Sequence, residues 1–320
     1  MFVWDNGLKL VKAGVSVDFT RRQPCGFISH AHSDHTARHE LSLCTQETAA
    51  LCKHRMKGKH NFKEMSYFQT ISWGGLKLTA YPAGHCLGSA MLFAEDEETG
   101  QSLLYTGDFK LGPSATSVQA VAVCADSLIM ECTFGTPNHR LPPREKVIEE
   151  FLVEIKRCFD YNRTPVVYAY SLGKSQEITK ILTNAGFPVR QHKTVYEISK
   201  IYEKFGVDLG DVVEQKTIIA GSDRVLIVPP RVGMFETETE PTTFIVTGWA
   251  AEKGAKYRYG VDYAFPISDH ADYDDLLEMV RLVDPKTVYC THGPDSFVDR
   301  LHELGYNARP LGKSWQGRLF

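Results

Sequence analysis

Three imidazoles and one carboxylate lie within six positions of this chain, in the string Ser29-His30-Ala31-His32-Ser33-Asp34-His35. They follow directly on the apolar Gly26-Phe27-Ile28. His30 and His32 are two residues apart, so in extended chain both rings point to one side. Asp34 and His35 come where the chain must turn, and they can face a second point in space. One short loop of this kind can feed two metal ions. A polar, solvated loop with chance histidines is the plain alternative, and the rest of the chain weighs against it.

Four further places share one pattern: a His, Asp or Glu at the end of an apolar strand, often beside glycine. They are Gly84-His85, Gly107-Asp108, Met130-Glu131 and Thr291-His292-Gly293. Small neighbours let a polar side chain point into a crowded site, and strand ends are rigid mounts. Taken singly, His85 reads as a structural histidine and Asp108 as a turn aspartate. In company with the His30–His35 string they read as parts of one centre.

The elements that would carry these groups follow from texture. The first 135 residues read as short strands with turns. Leu76–Tyr81 alternates apolar and polar, and Ala90–Ala94 with Ser102–Tyr105 flank an acidic turn as a hairpin. Ser127–Met130 is a buried strand ending at Glu131, and a helix fits between Gln46 and Met56. After Pro137 the texture changes. Pro142-Pro143 opens a helix whose apolar positions Val147, Ile148, Phe151, Leu152, Ile155 and Phe159 keep helical spacing. A buried strand at Pro165–Tyr170, a helix from Ser171 stopped by Gly186, and strands at Arg224–Val228 and Thr243–Thr247 suggest a small parallel α/β unit. Candidate ligands stop at Asp108 and resume at His292. Residues 137–264 therefore read as an insertion between two parts of one catalytic domain, 1–136 and 265–320.

Bulk composition limits the function classes. The chain has 320 residues, 43% hydrophobic and 23% charged, which is ordinary for a globular protein with a core. Its net charge of -3 does not attract a polyanion globally, so a nucleic acid would need a local basic groove or a metal centre. Lys53, Arg55, Lys57 and Lys59, with His54 and His60, form such a patch, although a solvated helix end explains them as well. The eight cysteines include no C-x-x-C pair and read as reduced thiols. Neither a secretory signal nor a membrane span is recognisable, so a cytoplasmic protein without membrane contact is expected.

At this point the residues resemble a known family, the metallo-β-lactamase fold and, within it, the beta-CASP nucleases. Asp18, the His30-x-His32-x-Asp34-His35 string, His85, Asp108 and His292 match its core motifs in order. Glu131 in Glu131-Cys132-Thr133 and His270 in Ser268-Asp269-His270-Ala271-Asp272 resemble the beta-CASP additions. His292 stands where the DNA crosslink-repair branch usually carries valine. Texture is most similar to the bacterial ligase-associated DNA exonucleases, once labelled mRNA 3'-end processing factors. The resemblance implies an α/β fold: an αββα sandwich with an inserted beta-CASP cap domain.

It also implies roles. His30, His32 and His85 would hold one divalent ion, and Asp34, His35 and His292 a second, with Asp108 bridging. The donors suit zinc and leave room for manganese. Such a pair readies a water for attack on a phosphodiester. His270 would protonate the departing oxygen, with Glu131 holding its tautomer. Asp34 would belong to the catalytic set, and Asp18 would stand behind the ligands. For the substrate, the turn at Ser171, Gly173 and Lys174 could hold a phosphate and Trp249 could stack on a base, although a helix cap and a buried aromatic explain them equally. The expected function is a DNA exonuclease of repair, linked to a DNA ligase or helicase. The alternative is a ribonuclease acting in RNA 3'-end processing. A small-molecule hydrolase would lack the insertion and the Glu131/His270 pair, and a dead scaffold would lack a complete ligand set.

Overall fold

The computed structural model describes residues 1–216, 219–230 and 236–312. The chain forms two compact units. Unit 1 comprises Met1–Pro113, Ser117–Pro137 and the described residues from His270 onward; unit 2 comprises Ser114–Thr116 and Asn138–Asp269.

Unit 1 opens with a six-stranded sheet in chain order: β1 (Phe2–Trp4), β2 (Leu8–Leu10), β3 (Val15–Val17), β4 (Cys25–Phe27), β5 (Leu41–Cys44) and β6 (Phe62–Glu64). From β3 to β6 the strands are parallel, and parallel neighbours need a crossover. Between β5 and β6 that crossover is helix α1 (Gln46–Arg55). The Thr45 hydroxyl caps it by accepting the Thr48 amide at 3.2 Å. Lys53, His54 and Arg55 fill its last turn, where cations offset the helix dipole.

A second sheet follows with β7 (Thr70–Trp73), β8 (Leu76–Pro82), β9 (Ala90–Asp96), β10 (Ser102–Tyr105) and β11 (Ser127–Glu131). β7 to β10 form an antiparallel meander, and β11 runs parallel to β10. Period-two alternation sorts the side chains between two cores. Leu103, Tyr105 and Ile129 face the first sheet and meet Leu10, Val17 and Phe27 there. Leu104, Leu128 and Met130 face the opposite side.

Unit 2 begins with α2 (Arg144–Asp160), with Pro143 at its N-cap. Then come β12 (Thr164–Tyr168), α3 (Lys174–Asn184), β13 (Val189–Gln191), α4 (Lys193–Lys204), β14 (Val212–Glu214), β15 (Ile219–Ala220), β16 (Val225–Val228), β17 (Glu236–Thr237), β18 (Pro241–Val246), α5 (Ala255–Tyr259) and β19 (Tyr263–Phe265). Six of these strands make a parallel sheet in the order β14-β13-β16-β12-β18-β19, while β15 pairs with β17. All four residues of β16 are buried. Such a continuous apolar run is expected where helices cover both faces of a sheet.

Unit 1 resumes with α6 (Tyr273–Val283), β20 (Thr287–Thr291), α7 (Asp295–Glu303) and β21 (Ala308–Pro310). β20 lies parallel against β11, pairing Thr291 with Glu131, and β21 lies parallel against β20. Leu276, Met279 and Val280 of α6, with Phe297 and Leu301 of α7, close the core over Leu104 and Met130.

The pairing registers bring several strand ends to one edge of unit 1. Tyr105 lies beside Ile129 in parallel strands, and Glu131 beside Thr291. The antiparallel pairs place Pro82 beside Ala90 and Leu92 beside Tyr105. The segments leading to His85, Asp108 and His292, and Glu131 itself, therefore emerge together. The Ser29 carbonyl accepts the Ala90 amide at 2.8 Å, which ties the His30 loop to the same edge. Gly84 makes the His85 turn possible. Its φ is +77°, and a Cβ there would lie 2.2 Å from the Lys110 carbonyl oxygen. Gly84→Ala is expected to cost about 2 kcal/mol or more, the left-handed penalty plus the clash, read as a lower urea midpoint. An unchanged midpoint would show that the turn relaxes freely.

Candidate metal centre

Asp108 sits at the focus of this edge. Its Oδ2 lies 3.4 Å from His30 Nε2, 3.4 Å from His35 Nε2 and 3.9 Å from His85 Nε2. His85 Nε2 is in turn 3.1 Å from His32 Nδ1. His30, His32, His85 and Asp108 each offer one ligand atom, all within 4.8 Å of one another. His30 Nε2 is buried and makes no hydrogen bond. An orphaned polar atom of this kind costs about 1–3 kcal/mol, and a divalent cation is what would satisfy it. Three imidazole nitrogens and a carboxylate oxygen are also a zinc-type donor set. The residues therefore fit a metal ion.

The lone pair is presented by the residues behind the cluster. Asp18, at φ +50° just beyond β3, accepts the Ser29 amide at 2.7 Å, the Ser29 hydroxyl at 2.5 Å and the Tyr105 hydroxyl at 2.8 Å. His35 Nδ1 lies 2.8 Å from the same carboxylate. A carboxylate only accepts, so Nδ1 carries a proton, and once His35 gives up its second proton Nε2 is the nitrogen left facing Asp108. His30 Nδ1 is 2.9 Å from the Ser29 hydroxyl. That hydroxyl gives its single proton to Asp18, so His30 Nδ1 donates and its Nε2 is free too. One carboxylate thus fixes two imidazole tautomers, directly and through a serine. Sequence reading placed Asp18 behind the ligands but singled out neither Ser29 nor Tyr105 for this work. Tyr105 occupies an apolar strand position and carries no signal beyond that of a core residue.

Beside the cluster stands a second pair. His270 Nδ1 lies 3.0 Å from Glu131 Oε1. Glu131 also accepts the Phe109 amide at 3.0 Å and the Thr133 hydroxyl at 2.5 Å. Three donors leave the carboxylate one orientation. His270 meets Glu131 through Nδ1, and its ring centroid is 4.7 Å from that of His85.

The electrostatics separate these carboxylates. Burial pushes Asp108 up to about 7, with the Glu131 charge adding to it. Burial would raise Glu131 as well, but His270, Thr133 and the Phe109 amide hold it down at about 2. Burial alone would lower His35, yet Asp18 and Asp108 lift it to about 9. Burial and the neighbouring His35, His85 and His32 push His30 well below its usual value, so it is neutral at pH 7.

Asp34 and His292 lie at the exposed rim. Asp34 Oδ2 is 3.9 Å from His35 Nε2, and the His292 ring is 5.9 Å from that of His35. Among the described residues, no compact group of ligand atoms includes Asp34 or His292. The structure thus draws His30, His32, His85, His35 and Asp108 tightly together and leaves these two looser. His292 takes φ +56° at the end of β20.

The phosphate cradle expected at Ser171, Gly173 and Lys174 has a different construction, all within unit 2. Lys174 is buried, with Nζ 3.2 Å from Asp269 Oδ1 and 3.7 Å from Glu177 Oε2. Arg144 bonds Glu177 Oε1 at 2.6 Å and the Ser268 carbonyl at 3.2 Å. The Gly173 amide goes to Gln176 Oε1 and the Ser175 amide to the Tyr170 carbonyl. The Lys174 cation and the Gly173 and Ser175 amides are committed inside the fold, so these groups form a structural ion cluster and not an open cradle. Trp249 is partly buried, edge-on to His139 at 5.2 Å.

Among the described residues, no helix is long and apolar enough to cross a membrane. The sequence profile of the Zn-dependent metallo-hydrolase RNA specificity domain matches residues 262–310. A "Probable DNA ligase" of Opitutus terrae is 38% identical over 326 residues, covering 99% of this chain and 32% of that protein. The "5' exonuclease Apollo" of Gallus gallus is 26% identical over 88% of this chain and 63% of its own length. "RNase aCSPSF2" of Saccharolobus solfataricus is 28% identical over 75% of this chain and 57% of its own. This chain thus spans about a third of the first relative and under two thirds of the other two. A crystal structure of an Enterococcus faecalis protein of unknown function superposes with TM-score 0.60 at 15% identity, over 91% of this chain and 80% of that one.

Proposed function

Because this chain belongs to the beta-CASP family of the metallo-β-lactamase fold, we propose that it is a divalent-metal-dependent nuclease hydrolysing phosphodiester bonds of DNA, as an exonuclease of repair. The observation that carries this reading is the Asp108-centred group of imidazoles with its unpartnered His30 Nε2, beside a hydrogen-bonded Glu131–His270 pair.

On this reading His30, His32, His85 and Asp108 would hold one ion, and His35, Asp108, Asp34 and His292 would hold a second. Zinc suits the nitrogen-rich set, and manganese would be tolerated by the carboxylates. When bound, divalent cations supply Lewis acidity, which activates water and offsets charge on a phosphoryl group. The chain's own residues do the rest. Asp18 keeps His30 and His35 presenting Nε2. His270, in its protonated form, delivers a proton from Nε2 to the departing sugar oxygen. Glu131, ionised, favours that imidazolium and fixes its orientation.

Metal loading carries a pH signature. In the metal-free protein at pH 7, His35 is protonated and Asp108 is near its midpoint. Both must lose protons to act as ligands, so zinc affinity is expected to rise between about pH 6 and 9, with proton release on binding. Calorimetry in buffers of different ionisation enthalpy reads this; affinity that is flat across the range would contradict it.

DNA is favoured by the ligase-named relative, which matches almost this whole chain, and by the exonuclease named Apollo. The same relative supports a functional link to a DNA ligase. The second reading, a ribonuclease, is favoured by the RNA-specificity profile over residues 262–310 and by the Saccharolobus RNase. Matched end-labelled DNA and RNA strands, with a panel of divalent metals, distinguish them. Progressive shortening of DNA is expected. Degradation of RNA alone would replace the first reading by the second.

A further inference from the structure

Unit 2 carries a crevice that the metal chemistry does not use. In its parallel sheet, β13, β14 and β16 lie to one side of β12, and β18 and β19 to the other. The strand order therefore reverses at β12, and in open α/β sheets ligands bind beyond the carboxyl ends of the strands at such a reversal. A crevice of about 910 Å³ lies at this place. Tyr168 and Tyr170 enter it from the end of β12, Pro229 and Pro230 from beyond β16, and Val246 from the end of β18. Tyr259 closes its side.

Two features define what it would accept. Tyr170 and Tyr259 are 55% and 39% exposed. The Arg258 guanidinium lies 5.4 Å from the Tyr259 ring centroid and bonds the Trp249 carbonyl, which holds that tyrosine's surroundings in place. Among the described lining residues there is no carboxylate. Arg258 is itself paired with the Glu252 carboxylate behind the wall, so the lining presents no net charge, and flat, exposed aromatic faces in such a concave wall suit a planar heterocycle.

We propose that this crevice binds an unpaired base of a single nucleic-acid strand, stacked on Tyr170 and Tyr259. This rests on the nuclease reading and adds a substrate subsite to it. Stacking on a tyrosine face requires a base that is out of a duplex, so single strands are preferred over duplexes of the same sequence.

The test uses metal-replete protein and a short fluorescein-labelled phosphorothioate oligodeoxynucleotide, which resists hydrolysis, read by anisotropy. The double variant Tyr170→Ala/Tyr259→Ala is expected to bind about 10-fold or more weakly and to lose the preference for single strands over duplex. Tyr170→Phe/Tyr259→Phe, which keeps both faces, is expected to bind within about twofold of the unaltered protein. Alanine and unaltered proteins binding alike would overturn the proposal, and so would phenylalanine variants as weak as the alanine ones. Hydrolysis of bis(p-nitrophenyl) phosphate by the unaltered protein tests the nuclease reading separately. If that hydrolysis occurs and the alanine variant binds normally, the crevice proposal alone fails. If the unaltered protein neither binds the strand nor hydrolyses the ester, both fail.

Discussion

Asp108→Ala is expected to abolish the centre, with hydrolysis of a DNA strand falling by about 10³-fold or more. The reason is positional. Asp108 Oδ2 is within 3.9 Å of three imidazole nitrogens, and on the proposed ligand assignment it is the one group shared by both ions. Its removal takes a ligand from each. Bound zinc, measured by mass spectrometry of the purified variant, should fall with the activity. Asp108→Asn keeps the shape but not the charge, and should fall nearly as far. Full activity in either variant would remove the proposed ligand set.

The same substitution carries a stability signature of opposite sign. Burial raises Asp108 from 3.8 to about 7 in the metal-free protein. A carboxyl raised on folding contributes stability that is complete below its unfolded value and is lost as pH climbs through its folded value. Metal-free protein should therefore weaken between about pH 4 and pH 7, and Asp108→Asn should flatten that part of the profile. Denaturant midpoints after chelation read it directly. A strongly buried carboxylate that weakens the empty protein and is required when metal is present is the expected mark of a functional residue.

His270→Ala is expected to lower DNA hydrolysis by about 10²–10⁴-fold, the usual range for a lost general acid, without loss of bound metal. A second substrate separates proton delivery from structural support. A nitrophenolate leaves without help, so bis(p-nitrophenyl) phosphate should be hydrolysed by the variant at close to the ordinary rate, whereas the sugar oxygen of DNA needs the proton. Glu131→Gln should behave similarly but less severely. Its amide still reaches toward His270 Nδ1, 3.0 Å away in the present structure, but it no longer favours the imidazolium. Equal losses on both esters would assign His270 a structural or ligating role instead.

The groups on the unit 1 edge were legible in the sequence because each follows an apolar strand at its rigid end. Pro82 before Gly84-His85, Tyr105 before Gly107-Asp108 and Thr291 before His292 put that signal in the order of the letters, and β-pairing registers then bring them together. The parallel unit after Pro137 was legible from the same source, the alternation of apolar runs and helical spacing. The orientation of these groups was not. Asp18 acts through Ser29, eleven residues away, and is itself held by Tyr105, eighty-seven away, and no local pattern encodes such meetings. Lys174 shows the opposite failure. A lysine in the first turn of a helix reads as exposed, but the fold buries it against Asp269 and Glu177. A charge whose partner is ninety-five residues on in the chain cannot be priced from its neighbourhood. Its burial made an anticipated phosphate site into part of the scaffold, while Tyr170, four residues earlier, faces outward.

The most direct measurement is an anomalous-difference map at the zinc edge from crystals grown with zinc. A peak is predicted among His30, His32, His85 and Asp108, about 2.0–2.2 Å from their donor atoms, with a second beside His35 on the other flank of Asp108. A map with no peak in this cluster, or with zinc bound only elsewhere on the chain, would contradict the account.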